Sequence, residues 1–305
     1  MIRIGTRGSA LALAQARAVA AGLGADAEIV TIRTEGDRLA EARLATVGGK
    51  GLFVREIEEA LLRGEVDIAV HSLKDLPAEP PAGLVLAAFP PREDPRDVLA
   101  TRAPATLEDL GPGAVVGTSS PRRRALLLAL RPDLTVVPIR GNVDTRLRKL
   151  AGGGFDAVVL AAAGLNRLGL RPEHCRPLDP ETFVPAVGQG IVAVEARADD
   201  AATLRRLQAL DHAPTRPCAL AERAYLARLG ASCNTPMAAH ARLESGALHM
   251  AGVVASEDGR RILRARASAP AADAARLGRE LADTLLGQGA AEITDLKPAG
   301  ARSVS

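Results

Sequence analysis

Asp75 is the side chain best placed for chemistry in this sequence. It lies in V-D-I-A-V-H-S-L-K-D-L-P, residues 66–77, where an apolar run passes directly into a polar turn carrying Lys74 and Asp75. Open α/β sheets bind ligands in crevices beyond the carboxyl ends of their strands, so a carboxylate in such a turn can face a substrate. The bland alternative is a solvated Lys-Asp turn closed by Pro77, and only the remaining residues can choose between the two.

Arginine is the second chemical signal. Thr6-Arg7-Gly8-Ser9 precedes one helical pattern, and T-S-S-P-R-R-R at 118–124 precedes another, with Ser120 as its N-cap and Pro121 at its first position. Arg140-Gly141-Asn142 and Gly164-Leu165-Asn166-Arg167 repeat the arrangement. A helix N-terminus carries partial positive charge, so an arginine in its first turn is unfavourable by about 0.3–1 kcal/mol when exposed. An anion offsets that cost. Each arginine alone reads as a solvated surface residue, but four such turns after strands point to a shared site for several carboxylates or phosphates. Gly48-Gly49-Lys50-Gly51 lacks the Walker spacing and Gly111-Pro112-Gly113 precedes a strand pattern, which disfavours nucleotides and leaves carboxylates.

Composition narrows the classes further. The chain has 305 residues, enough for two or three domains with a sizeable core. Aromatics make up 2% of it, with no tryptophan and one tyrosine, so base stacking has few platforms. Net charge is +3; the only lysines are Lys50, Lys74, Lys149 and Lys297, and the other 35 basic residues are arginines, whose forks suit carboxylates and phosphates. Cys175, Cys218 and Cys233 have neither disulfide nor zinc spacing, and no metal is expected. The chain opens on strand-like residues and has no apolar run long enough for a bilayer, so a cytoplasmic protein is expected, binding neither membrane nor nucleic acid.

The elements that must position these residues follow from periodicity. Strand patterns occupy 2–6, 29–34, 66–71, 85–89, 114–118, 135–139 and 157–162, with helical patterns between most of them, which predicts βαβ units and parallel sheets. Phe53, Ile57, Ala60 and Leu61 form one apolar helix face. Turn-rich stretches at 90–97 and 185–190 bracket a region with its own βαβ pattern, predicting two domains with the chain crossing twice. Beyond Asp211 a helix over 219–229, strands over 247–255 and 261–267, and a helix carrying Leu277, Leu281, Leu285 and Leu286 predict a small α+β domain. The expected boundaries are 1–90 with 191–208, 96–186, and 212–305.

Nine segments in order then carry a resemblance: I-G-T-R-G-S-A-L-A at 4–12, V-G-G-K-G-L-F-V at 47–54, H-S-L-K-D-L-P at 71–77, R-E-D-P-R-D at 92–97, G-T-S-S-P-R-R at 117–123, R-G-N-V-D-T-R-L at 140–147, A-A-G-L-N-R-L-G at 162–169, P-A-V-G-Q-G at 185–190 and C-N-T-P at 233–236. Together they resemble the porphobilinogen deaminases, also called hydroxymethylbilane synthases, over essentially the whole chain. The resemblance implies an α/β fold with two periplasmic-binding-protein-like domains, an active-site cleft between them, and a small α+β C-terminal domain. It implies a monomeric transferase of tetrapyrrole and heme biosynthesis that deaminates four porphobilinogen molecules and joins them head to tail into hydroxymethylbilane. The primer would be a dipyrromethane cofactor held by a thioether to Cys233.

The resemblance also assigns roles. Asp75 would be catalytic, stabilising the cationic azafulvene left by ammonia loss; Lys74, Ser120, Arg122, Arg123, Arg146 and Gln189 would hold the cofactor alongside Cys233. Arg7, Ser9, Arg140, Arg167, Lys50 and Phe53 would bind substrate, the last two after a lid-like segment at 38–49. Thr46 stands where the family often has lysine, and Ala231-Ser232 replaces the usual glycine before the cysteine. Two other classes compete: a polycarboxylate-binding domain without catalysis, which needs neither Asp75 nor Cys233, and a nucleic-acid binder reading phosphates through residues 122–124 and 146–149, which the low net charge and scarce aromatics oppose.

Overall fold

The computed structural model describes residues 1–24, 26–34, 54–231, 235–296 and 298. In chain order the first elements are β1 (Ile2–Thr6), α1 (Ala10–Leu23), β2 (Ala27–Thr31), α2 (Arg55–Leu62), β3 (Ile68–Ser72) and β4 (Leu84–Ala88). Next come β5 (Asp97–Thr101), β6 (Val115–Gly117), α3 (Pro121–Leu130), β7 (Thr135–Val137), α4 (Val143–Ala151), β8 (Ala157–Ala161), α5 (Ala162–Arg167) and β9 (Cys175–Pro177). The chain continues through β10 (Val192–Arg197), α6 (Ala201–Leu207), α7 (Thr215–Leu229), β11 (Met237–Glu244), β12 (Ala247–Ala255), β13 (Ile262–Pro270), α8 (Ala274–Gly287) and α9 (Ala290–Ile293).

These elements form two compact units, Met1–Glu93 with Gly190–Arg216 and Asp94–Gln189 with Pro217–Ser305. The first unit holds a five-stranded sheet ordered β2-β1-β3-β10-β4. Side chains alternate across a strand, and β3 shows the consequence. Ile68 and Val70 pack with Ala16 and Val19 of α1, whereas Ala69 packs with Ile57, Ala60 and Leu61 of α2. Ile57 and Leu61 are fully buried, each contributing about 1.5–3 kcal/mol. The expected apolar face of this helix is therefore core; Phe53 lies outside the described residues.

The second unit repeats the plan in a sheet ordered β7-β6-β8-β5-β9. In each sheet one strand, β1 or β6, runs parallel to both neighbours, and the fourth strand, β10 or β5, runs antiparallel to both of its own. The prediction of parallel sheets is thus corrected to mixed sheets. A parallel strand needs a crossover of a dozen residues or more, usually helical, whereas β5 enters from the irregular segment 89–96 and β10 from the turn at 187–190, with no helix leading into either. Periodicity also missed both, because β5 is buried at every position and β10 at all but its last, so neither alternates.

The small sheet β11-β12-β13 is an antiparallel meander within the second unit. One face packs on α8 through Leu277, Leu281 and Leu285 and on α7 through Tyr225. Ala238 and Val253 join the core of β6 and α3. The turn at Gly259 has φ +71°, and a Cβ there would stand 2.4 Å from the carbonyl oxygen of Ala125, so only glycine permits this approach. The fold is mixed α/β, with two five-stranded sheets and a small C-terminal three-stranded sheet backed by helices.

Candidate active site

In the first unit the site residues gather at the carboxyl ends of β1 and β3. β1 ends at Thr6, so Arg7 and Ser9 fall in the turn before α1, where Ser9 Oγ accepts the Ala12 backbone N–H at 3.3 Å. β3 ends at Ser72, and a single 3-10 turn, Leu73–Asp75, follows with Leu73 buried beneath it. That anchor leaves Asp75 exposed, and among the described residues no donor or cation holds its carboxylate. A pocket of about 420 Å³, counting its open mouth, is lined by Arg7, Ser9, Gln15, His71, Ser72 and Asp75 among others. Three of the expected site residues are therefore brought together here. Lys74 is half-buried and partnered, and does not line this pocket.

Sequence reasoning assigned nothing to Gln15, Ser72 or His71. Gln15 Nε2 donates to Ser72 Oγ at 2.8 Å, joining α1 to the end of β3. A lone amide within the apolar run A-L-A-L-A-Q-A was the available signal. His71 and Glu195 project from the same sheet face as Ala69, with His71 Nε2 3.2 Å from Glu195 Oε2 and both side chains almost wholly buried. This is an ion-pair distance without hydrogen-bond alignment, since neither atom has a hydrogen-bond partner. Glu58 of α2 lies close enough to feel both: burial, then the Glu195 charge, push its carboxyl up to about 7, against an opposing pull from His71.

The second unit gathers cations. Ser120 caps α3 as expected, its Oγ accepting the Arg123 N–H at 3.4 Å, and Pro121 opens the helix. Arg122 and Arg123 are 5% and 7% exposed. Both meet Asp97 at the start of β5: Arg122 Nη1 is 2.7 Å from Oδ2, and Arg123 Nη2 is 2.7 Å from Oδ1. Gln189 Nε2 donates to the same Oδ1 at 3.1 Å and to the Pro95 carbonyl at 2.7 Å. Burial alone would raise the Asp97 carboxyl, but the two guanidiniums, with Gln189, bring it down to about 2.

Arg146 of α4 is half-buried, with Nε donating to the Gly141 carbonyl at 2.8 Å. Burial, and then repulsion from Arg123, disfavour its charge. Arg140 is exposed before α4. Arg167 corrects the sequence expectation: it occupies the last turn of the six-residue α5, not an N-terminus, and the helix dipole favours a cation there. Lys50, Phe53 and Cys233 lie outside the described residues.

Asp97 was visible only as the last residue of R-E-D-P-R-D. Its two guanidiniums exceed its charge by one, and Arg146 adds another. Arg122 Nε is buried with no hydrogen-bond partner. A cation surplus, an orphaned donor and a capping hydroxyl suit an anion with several carboxylates, such as a dipyrromethane. Among the described residues no cluster of three or more His, Cys, Asp or Glu could hold a metal ion, and no helix is long and apolar enough to cross a membrane.

Comparison with known proteins agrees with this chemistry. Residues 2–205 match the family model described as porphobilinogen deaminase, dipyromethane cofactor binding domain, and residues 217–287 match that of the porphobilinogen deaminase C-terminal domain. The porphobilinogen deaminase of Desulforudis audaxviator is 52% identical over 303 residues, covering 98% of each chain. Those of Trichlorobacter lovleyi and Paracoccus denitrificans are each 50% identical, covering 96% of each chain. Among solved structures, a putative methionine-binding lipoprotein from Bacillus subtilis shares 13% identity over 70% of this chain and 90% of its own, with a TM-score of 0.42. Two family models in register and half-identical relatives matched end to end leave one assignment: the chain belongs to the porphobilinogen deaminase family.

Proposed function

We propose that this enzyme deaminates porphobilinogen and joins four molecules head to tail into hydroxymethylbilane, releasing one ammonia per molecule and taking up one water at the terminal methylene, with Asp75 as its catalytic carboxylate. The observation that carries the role of Asp75 is its exposure beside Arg7 and Ser9 in a pocket at the carboxyl end of β3, without a described partner of its own. Porphobilinogen carries an acetate and a propionate. Arg7 offers its guanidinium to one carboxylate and Ser9 its hydroxyl, which orients the pyrrole over Asp75. As ammonia leaves, positive charge spreads over the methylene and the ring, and the Asp75 carboxylate stabilises it while accepting the pyrrole N–H. The same carboxylate carries away the proton lost from the pyrrole α-carbon once the new bond has formed.

A bound dipyrromethane would supply the free pyrrole α-position on which the product is built. Ser120, Arg122, Arg123 and Arg146 would take its carboxylates, with Lys74 and Gln189 supporting, and Cys233 would anchor it through a thioether. Arg140, Arg167, Lys50 and Phe53 would serve the incoming substrate. The proposed domains are 1–90 with 191–208, 96–186, and 212–305, in a cytoplasmic monomer. Intact mass and an ammonia assay test the proposal together. The purified chain should exceed its sequence mass by two pyrrole units, Cys233→Ser should lack that increment, and the loaded enzyme should release ammonia from porphobilinogen. A chain without added mass and without ammonia release would defeat the proposal.

A further inference from the structure

Asp97 lies at the centre of the cation cluster, fully buried, and three of the residues proposed to hold the cofactor converge on it. We propose that Asp97 is a positioning residue that shares Arg122 and Arg123 with the carboxylates of the bound pyrroles. The inference rests on the proposed role of those two arginines. Each guanidinium is held from two sides before any ligand arrives. Arg123 Nε donates to Asp97 Oδ1 at 2.9 Å while its Nη1 donates to the Val159 carbonyl at 2.8 Å. Arg122 Nη1 donates to the Val184 carbonyl at 2.8 Å and packs against Asp97 Oδ2 as an ion pair too bent for a hydrogen bond. The Phe183 ring lies under the Arg122 guanidinium, 5.8 Å from its centroid, and fixes its plane.

The charge count gives this arrangement its purpose. One carboxylate faces two buried guanidiniums, and the Arg146 charge repels Arg123 from α4. Buried charge of one sign is strongly unfavourable unless compensated. Asp97 removes enough of the excess for the chain to fold, and leaves enough for an anion to bind. A second carboxylate at Asp97's position would cancel the attraction; none at all would leave the arginines to repel one another. Asp97 and the ligand therefore neutralise the same cations, so the cost of losing Asp97 must depend on whether the ligand is present.

The experiment compares Asp97→Asn with wild type in full-length chain made with and without porphobilinogen in the host, with loading read by intact mass and stability by thermal denaturation. Asp97→Asn should lower the Tm of the cofactor-free chain at least twice as much as that of the loaded chain, and should reduce the loaded fraction at a temperature where both are folded. Folding of the loaded variant with failure of the cofactor-free one is the extreme of the same result. Equal Tm losses in the two states would overturn the proposal. Should the variant fold in neither state, Gln189→Leu replaces it, loosening Asp97 by one hydrogen bond without burying an unpaired charge, and the same equality of losses decides. Wild-type chain supplied with porphobilinogen that gains no pyrrole mass would instead overturn the cofactor reading itself, and this inference with it.

Discussion

At the scale of single residues, the role proposed for Asp75 is what separates an enzyme from a binder of the same ligand. A carboxylate facing a developing cation acts chiefly in the transition state, so its neutralisation should lower turnover far more than affinity. Asp75→Asn keeps the shape and loses the charge; kcat should fall about 10²-fold or more with the cofactor still in place. Asp75→Glu should retain part of the rate. Near wild-type turnover by the loaded Asn variant would move the catalytic role to another group. Exposure makes Asp75 a clean target, because the carboxylate has no described structural partner to lose. The pairing of Lys74 with Asp75 in sequence did not carry into the pocket, where Arg7 and Ser9 are the neighbours instead.

At the scale of elements, the segment that returns the chain to the first unit depends on one glycine. Gly190 adopts φ +84°, and a Cβ there would lie 2.3 Å from the Glu93 carbonyl oxygen, whose backbone N–H donates to the Gly190 carbonyl at 3.0 Å. The turn at 187–190 and the segment at Glu93 lie against each other because nothing projects from residue 190. Gly190→Ala combines an unfavourable backbone conformation with a clash against backbone, and should destabilise the chain by about 1–3 kcal/mol or more in urea unfolding. A loss under about 0.5 kcal/mol would show that the two segments can part without cost. The turn-forming composition of P-A-V-G-Q-G marked this segment in the sequence; the close contact that fixes the glycine did not show there.

For the whole molecule, buried ionisable groups set the pH range of stability. Glu58 has its carboxyl pushed up to about 7, chiefly by burial and then by Glu195, whereas an unfolded glutamate titrates near ~4.3. A raised folded value favours the neutral form, so this contribution is complete below about 4.3 and is lost as pH rises through about 7. Its size is on the order of 3 kcal/mol. Asp97 acts in the opposite direction: its carboxyl is held down at about 2, and its contribution is present above the unfolded value near ~3.9 and lost as pH falls through about 2. Together these two groups make their joint contribution greatest at about pH 4, with the Glu58 part falling progressively between about 4 and 7. Glu58→Gln should flatten the decline of Tm from pH 5.5 to 8.5; an unchanged slope would assign that decline to other groups.

The sequence alone determined the local elements with strong patterns, the Ser120 cap, the turn carrying Asp75, and the family, because these depend on residue type and short spacing. Nine short motifs in order needed no tertiary information to be recognised. What depended on partners distant in sequence was illegible. Strands β5 and β10 carry no alternation because both faces are buried, and their antiparallel entry follows from where the crossing segments deliver them. Arg122, Arg123 and Gln189 read as separate ligand contacts until the fold placed Asp97 among them from 25, 26 and 92 residues away. Glu58, His71 and Glu195 form a cluster only because a helix and two sheet strands bury them on one face. Arg167 looked like a helix-start arginine because its motif follows a strand, yet α5 begins at once after β8 and is over within six residues. Short-range chemistry is written in the chain; charge balance in a buried site is decided by which distant residues the fold makes neighbours.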